Sequence, residues 1–203
     1  MSATARNDNT RGRKVRALLA GGLVLGVGAA VTLAAWTDQE WATGEFGAGS
    51  FNVQGSTDGT TFEDHTSADG AAALTFDLPA AENLTPGDAV AAPFVLRLDA
   101  ETSYGATVEL TDAAGSGVNA DNLTYGIVSV TGECTAEATG TEIVPAGTAL
   151  GATAGAATFD LAAGTEGAVG EEVTLCFQVT AGDDLVQGEL GTGTWGFTAT
   201  STE

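Results

Sequence analysis

The feature that most limits the folds open to this chain is a two-residue alternation of apolar and polar side chains. It recurs after residue 50 in seven stretches: 72–78, 93–99, 106–111, 123–130, 156–161, 172–180 and 193–200. Such alternation places apolar side chains on one face of an extended strand. Phe51 and Val53 indicate one more strand, and no amphipathic helical period occurs in this region. The sequence therefore predicts an all-β fold of about eight strands.

Turn-forming residues separate these stretches, at 86–88, 115–117 and 182–184. Short strands joined by turns are typical of an antiparallel jelly-roll or Greek-key β-sandwich. Two loops, 55–71 and 131–155, are long for a compact domain, and Thr141 to Val144 in the second has the character of a short strand. The predicted inward-facing residues are Leu74, Phe76, Leu78, Phe94, Leu96, Leu98, Val108, Leu110, Phe159, Leu161, Leu175, Phe177, Trp195 and Phe197.

The N-terminus has the pattern of an export signal, so we expect a signal helix before the sandwich. A basic region at 6–16 precedes an apolar region at 17–34, and Thr32 and Ala34 stand where a signal peptidase reads small residues before Ala35. The alternative is an uncleaved membrane anchor, since about 20 apolar residues span a bilayer. Four glycines weaken the run as a helix and favour cleavage. We expect three segments: 1–34, 35–54 as an N-terminal strand segment, and 55–203 as the sandwich.

The charge of the exported part excludes one class of partner. Of the 27 acidic residues only Asp8 precedes Ala35, whereas Arg97 is the only Lys or Arg after residue 16. A body this acidic repels phosphate backbones and anionic lipid. We expect no nucleic-acid partner, and membrane contact only through an uncleaved signal.

The two cysteines, Cys134 and Cys176, both lie in the exported part. An even count in an oxidising compartment favours a disulfide, and two buried thiols are the alternative. Alternation in 172–180 directs Cys176 away from the apolar face, toward a covering loop. This direction favours pairing.

The residue types offer little for catalysis. A hydrolytic zinc site takes several His or Cys ligands, and the single histidine, His65, lies in a polar loop. No serine stands in a nucleophile elbow. We expect a non-enzymatic protein with a solvated His65 and no resident cofactor. The acidic residues of one loop are candidate calcium ligands: Asp58, Glu63, Asp64 and Asp69. Their spacing does not match an EF-hand.

Three groups of residues together resemble a known family. The first group lies at the signal junction: residues 32–38 (TLAAWTD) span it, and residues 46–53 (FGAGSFNV) follow it. Residues 83–88 (NLTPGD) precede a strand, and Gln187-Gly188 leads to 195–199 (WGFTA). In this order they resemble the TasA/camelysin family of secreted bacterial proteins, whose signal peptides are cleaved by a SipW-type peptidase. The composition is similar to that of an actinobacterial relative.

The resemblance implies a jelly-roll subunit of an extracellular fibre or biofilm matrix. In that family the freed N-terminal strand of one subunit completes the sheet of the next. The expected partners are therefore a SipW-type signal peptidase and further copies of this chain. Candidate anchors of the donated strand are Trp36, Trp41, Phe46 and Phe51. Residues 35–54 could equally fold back as the first strand of their own sandwich.

A second hypothesis comes from a different class of protein. The chain would be a monomeric cell-surface module that binds calcium or a glycan through the loops at 55–71 and 112–122. Fibre formation that depends on residues 35–45 distinguishes the first hypothesis from calcium-dependent stabilisation of a monomer.

Overall fold

The computed structural model describes residues 10–31, 39–44, 49–77, 80–165 and 167–202. The chain divides into two compact units, Met1–Phe46 and Gly47–Glu203. The first contains helix α1, Thr10–Val31. Within the described residues, no helix is both long and apolar enough to cross a membrane.

The second unit contains eight strands. Their bounds are β1 Val53–Ser56, β2 Ala89–Leu98, β3 Gly105–Ser116, β4 Leu123–Val130, β5 Thr141–Ala149, β6 Phe159–Leu161, β7 Val173–Ala181 and β8 Thr192–Thr202. Short 3₁₀ turns at Ala68–Gly70, Ala80–Glu82 and Ala120–Asn122 interrupt the connections.

The strands form two antiparallel sheets. One has the order β1-β2-β7-β4-β5 and the other the order β6-β3-β8. The predicted fold, an all-β antiparallel sandwich of eight strands after an N-terminal helix, is confirmed. The sandwich begins with β1 at Val53, so the last residues of the segment 35–54 belong to it.

The core lies between the sheets, where the alternation places it. Tyr125, Ile127, Leu175 and Phe177 from the long sheet are at most 1% exposed. All the predicted inward-facing residues belong to this core or pack against it, except Leu78, which lies outside the described residues.

Two predicted elements differ from the structure. Residues 71–77 form no strand, so the prediction of a strand at 72–78 is wrong for its described part. Conversely, the loop at 131–155 contains a full strand, β5, which starts at the Thr141 suspected in the sequence. Alternation sets which side chains are buried, whereas strand formation also needs a neighbour that supplies backbone hydrogen bonds.

Candidate functional site

The strand order departs from a jelly roll at one place. In an eight-stranded jelly roll the first strand pairs with the last, and the second pairs with the seventh. Here β2-β7-β4-β5 and β6-β3-β8 follow that order, but β1 pairs with β2 in the long sheet. Among the described residues, β8 has only β3 as a neighbour. One edge of β8 therefore pairs with no described strand, at the position of a jelly-roll first strand; we call it the free edge of β8.

A cavity of about 980 Å³ runs along this free edge, and we call it the β8 slot. Residues 192–199 of β8 form one wall, and residues 65–68 and 71–74 with Phe76 form another wall. The inner faces of β2 and β7 supply the floor, through Phe94, Phe177 and Val179. Backbone groups of β8 and apolar side chains thus border the same space.

Tryptophan at the centre of β8 shapes the slot. Trp195 packs against Phe177 and Tyr125, with ring centroids 4.9 and 5.4 Å apart. Its ring also covers Gly193, where an added Cβ would lie 2.6 Å from it. Burial raises the pKa of Tyr125, and an interaction with Trp195 opposes that rise. The Tyr125 hydroxyl donates to the carbonyl of Ala152 at 2.6 Å, which fixes this aromatic group.

The slot also differs from the rest of the surface in charge. Asp112 is the only acidic residue among the described residues that line it. Strand β8 itself, TGTWGFTATST, contains no charged residue and no proline. An edge strand without charge or proline is a template for pairing with another strand.

His65 lies at the slot and is half-buried, so the expectation that it is solvated is wrong. Its ring meets Phe94 edge-on at 6.3 Å. Its Nδ1 atom is buried and has no hydrogen-bond partner among the described residues. Local sequence pattern does not reveal this position, because the contact depends on how the loop after β1 folds over β2.

The predicted strand anchors are divided between the two units. Trp41 lies in the described stretch 39–44, which is irregular, and its side chain is 90% exposed. Phe51 is 42% exposed and lines the slot. Trp36 and Phe46 lie outside the described residues, as do the cleavage-site residues Thr32, Ala34 and Ala35.

Residues just before β1 are bound to their own sandwich. The amide of Asn52 donates to Thr102 Oγ1 at 3.0 Å, and the amide of Asp99 donates to the Asn52 carbonyl at 3.0 Å. The amide of Ser103 donates to the Ser50 carbonyl at 3.2 Å. The alternative that residues 35–54 fold back onto their own sandwich is therefore correct for the final residues, from Ser50 onward. The earlier described residues, 39–44, join no sheet.

The calcium candidates do not come together. No group of three or more His, Cys, Asp or Glu side chains suited to a metal occurs in the described part of the chain. Asp58 caps its own turn by accepting from the amides of Thr60 and Thr61 at 2.8 and 2.7 Å. Asp64 accepts from the Asn52 side chain at 3.0 Å. Asp69 lies in a 3₁₀ turn, and Glu63 bonds to Gly55 through its backbone.

The loop at 112–122 is also engaged within the protein. Its first residues continue β3 to Ser116. Asn119 is buried and donates to the carbonyls of Val186 and Glu189 at 3.0 and 2.9 Å. Its amide oxygen accepts from the amide of Val186 at 2.7 Å. These bonds use the Asn119 side chain to join two loops.

The predicted disulfide between Cys134 and Cys176 is present. It holds the loop 131–140 against the outer face of β7, as the direction of Cys176 predicted. Gln178 donates to the carbonyls of Thr135 and Ala138 at 3.0 and 2.9 Å and fastens the same loop.

No protein-family model matches this chain, and no curated protein matches it. The resemblance to the TasA/camelysin family therefore rests on the sequence motifs alone. What the fold and the site define is a class: an all-β sandwich in which one edge of the short sheet pairs with no described strand.

Proposed function

We propose that this protein is a secreted, non-enzymatic structural subunit that assembles into extracellular fibres by β-strand addition. Residues 35–46 of one copy, which we call the donor segment, would lie beside β8 of the next copy. The observation that carries the proposal is the free edge of β8 at the place of a jelly-roll first strand.

The β8 slot supports the acceptor half of the proposal. An added strand would hydrogen-bond to the free edge of an eleven-residue strand, which provides affinity without side-chain specificity. Alternate side chains of that strand would enter the apolar cavity above Phe94 and Phe177. Burial of apolar surface there contributes about 25 cal/mol per Å².

The donor segment supports the other half. Its described residues, 39–44, belong to no strand, and the indole of Trp41 is 90% exposed. An exposed tryptophan is typical of an anchor that becomes buried in a partner. Trp36, Trp41 and Phe46 give the segment three large aromatic anchors.

Charge makes such assembly depend on salt. The acidic residues after Ala34 outnumber the basic residues 26 to 1, so approaching copies repel one another. The Debye length falls to about 8 Å at physiological ionic strength, which screens exposed charges on different copies. We expect assembly to strengthen as salt rises, because salt screens the repulsion between acidic copies. The slot itself is almost free of acidic residues.

Export supports the same proposal. Disulfides persist in oxidising compartments, and the Cys134–Cys176 bond is consistent with a protein outside the cytosol. A SipW-type peptidase cleaving before Ala35 would release the donor segment from the signal. Processing would then control when assembly starts.

The test compares two purified chains, one starting at Ala35 and one starting at Gly47, the first residue of the second compact unit. We expect concentration-dependent fibres in electron micrographs only from the longer chain. A synthetic peptide of residues 35–46 should bind the shorter chain with a 1:1 stoichiometry in calorimetry. A peptide with serine at positions 36, 41 and 46 is the matched control.

Two results would contradict the proposal. One is a chain from Ala35 that stays monomeric at all salt concentrations. The other is a monomer whose melting temperature rises with added calcium or glycan, which would favour the binding-module hypothesis.

A further inference from the structure

Residues 71–77, directly before the turn that leads to β2, have the side-chain pattern of a strand. Ala72, Leu74 and Phe76 are half-buried, while the residues between them are exposed. Leu74 and Phe76 pack against the core, and both line the β8 slot. The segment therefore covers part of the same apolar floor that an added strand would cover.

The backbone of this segment does not behave as a strand. Among the described residues, no backbone hydrogen bond is made by the amides or carbonyls of residues 72–76. The two ends are fixed: the amide of Ala71 donates to Ala68 at 3.3 Å, and the amide of Ala81 donates to Asp77 at 3.0 Å. Side-chain burial holds the middle of the segment.

The position of the segment in the chain adds a second argument. The first strand of a jelly roll precedes the second strand and pairs with the last. Residues 71–77 precede β2 and contribute to the lining of the slot, and the alternation at 72–78 predicts a strand. They have the chain position and the side-chain packing of a jelly-roll first strand, but they form no backbone hydrogen bonds with β8.

We propose that residues 71–77 are a displaceable internal cap of the β8 slot, which competes with the donor segment of another copy. This inference rests on the proposed function. The cap shields the apolar floor in the monomer but leaves the backbone of β8 unpaired. An incoming strand gains the ladder hydrogen bonds that the cap lacks, so exchange favours assembly once the side chains of Leu74 and Phe76 have left the slot.

The cap predicts which substitutions accelerate assembly. Leu74→Ser with Phe76→Ser removes the two large side chains that hold it. Thr75→Ser with Asp77→Glu changes two exposed positions of the same segment that do not line the slot, and is the matched control. We expect the first pair to lower the protein concentration needed for fibres by on the order of tenfold, since less apolar burial has to be given up. We expect the control pair to leave that concentration unchanged.

A second measurement uses the unsubstituted chain, in case the Leu74/Phe76 variant does not fold. The chain from Ala35 is digested with chymotrypsin as monomer and as fibre, and cleavage after Phe76 is followed by mass spectrometry. We expect that cleavage to be several-fold faster in fibres, where the cap is displaced.

The outcomes separate this inference from the proposed function. Fibres that form equally well from both variant pairs, or in which Phe76 becomes more protected, would overturn the cap and leave strand addition standing. A chain that forms no fibres at all would overturn both.

Discussion

Two edges of this sandwich, that of β5 in the long sheet and that of β8 in the short sheet, have opposite designs. Strand β5 contains Pro145, pairs with β4 through two register shifts, and has its outer side partly covered, since the amide of Ala157 donates to Ile143 at 2.7 Å. Strand β8 has eleven residues, no proline and no charge. A monomeric protein protects both edges from other strands. Of these two edges only that of β5 is protected within the described residues, and the proposed strand addition depends on this contrast.

The remaining edges agree with this contrast. Strand β6 has only three residues. Strand β1 has its outer side occupied by its own chain, because Gly55 and Glu63 exchange two backbone hydrogen bonds of 2.9 and 3.0 Å. The chain has no lysine after Lys14, so lysine does not protect its edge strands. Register shifts and a proline protect β5, shortness protects β6, and a loop that pairs with Gly55 protects β1.

The largest expected effect comes from proline in β8. Thr198 and Ala199 are adjacent and face Glu109 and Val108 of β3. In an antiparallel pair, one of two adjacent residues directs its amide to the neighbouring strand and the other directs it to the free side. We expect one of the variants Thr198→Pro and Ala199→Pro to keep its fold and lose assembly completely. The other should lose about 1–3 kcal/mol of stability through a broken ladder bond.

Electron microscopy and urea unfolding of both variants distinguish the two effects. Fibres from both at the wild-type concentration would show that the β8 edge is not the site of addition.

Removal of the disulfide should destabilise the fold without affecting assembly. Cys134 and Cys176 are 42 residues apart, and a loop of that size corresponds to about 4 kcal/mol on the chain-entropy model. We expect Cys134→Ser with Cys176→Ser to lose that amount in urea unfolding, and reduced wild-type protein to lose a similar amount. Assembly should be unchanged well below the melting temperature, since the bond lies on the outer face of β7, away from the slot.

Arg97 tests how the β1 edge is guarded. Its guanidinium lies 3.6 Å from the centroid of the Phe62 ring and 3.3 Å from Glu172 Oε1. We expect Arg97→Lys to cost about 1 kcal/mol, because an ammonium stacks less well on the ring. Hydrogen exchange of the Gly55 amide should rise as the loop at 57–62 loosens. Glu172→Gln, which removes only the exposed ion pair, should cost about 0.5 kcal/mol or less.

The variant Pro145→Thr tests whether proline is the main feature that prevents other strands from pairing with β5. We expect a loss of about 0.5 kcal/mol, because the unfolded chain gains conformational freedom. In the background of the assembly-deficient β8 variant, sedimentation should still show a monomer, since the register shifts and the bond to Ala157 remain. New association in that background would identify proline as the essential guard.

The smallest effect is that of pH on the turn that follows β1. Hydrogen bonds from the amides of Thr61 and Thr60, and then from the Ser56 side chain, hold the pKa of Asp58 well below its usual value of 3.8. A carboxyl with a lowered folded-state pKa stabilises the protein above its unfolded pKa, and this contribution is lost as pH falls through the folded pKa. We therefore expect wild type and Asp58→Asn to differ at about pH 5 and to converge toward about pH 2 in urea unfolding. A difference that stays constant over this range would show that the Asp58 charge is not involved.

Much of the fold could be predicted from local pattern. Leu175, Phe177 and Val179 alternate with Cys176 and Gln178, and this pattern places β7, its buried face and its disulfide. The irregular β5 was harder to find, because its register shifts break the alternation. His65 was missed because its burial against Phe94 depends on contacts between residues far apart in the chain.

Residues 71–77 show most clearly what the local sequence pattern cannot predict, which is strand pairing. Their alternation correctly predicts that Leu74 and Phe76 point inward, but the same pattern would hold with or without a ladder to β8. Burial depends on side-chain chemistry, which the sequence displays directly. Pairing depends on whether another backbone lies within hydrogen-bonding distance.

By itself, the sequence of this chain determined a strongly acidic β-sandwich with one disulfide, because side-chain period, charge and cysteine parity are properties of the residues. Only the tertiary structure decided which edge of which sheet is left unpaired, because an edge is defined by the strands that fail to lie beside it. The proposed role of this protein depends on that second kind of information.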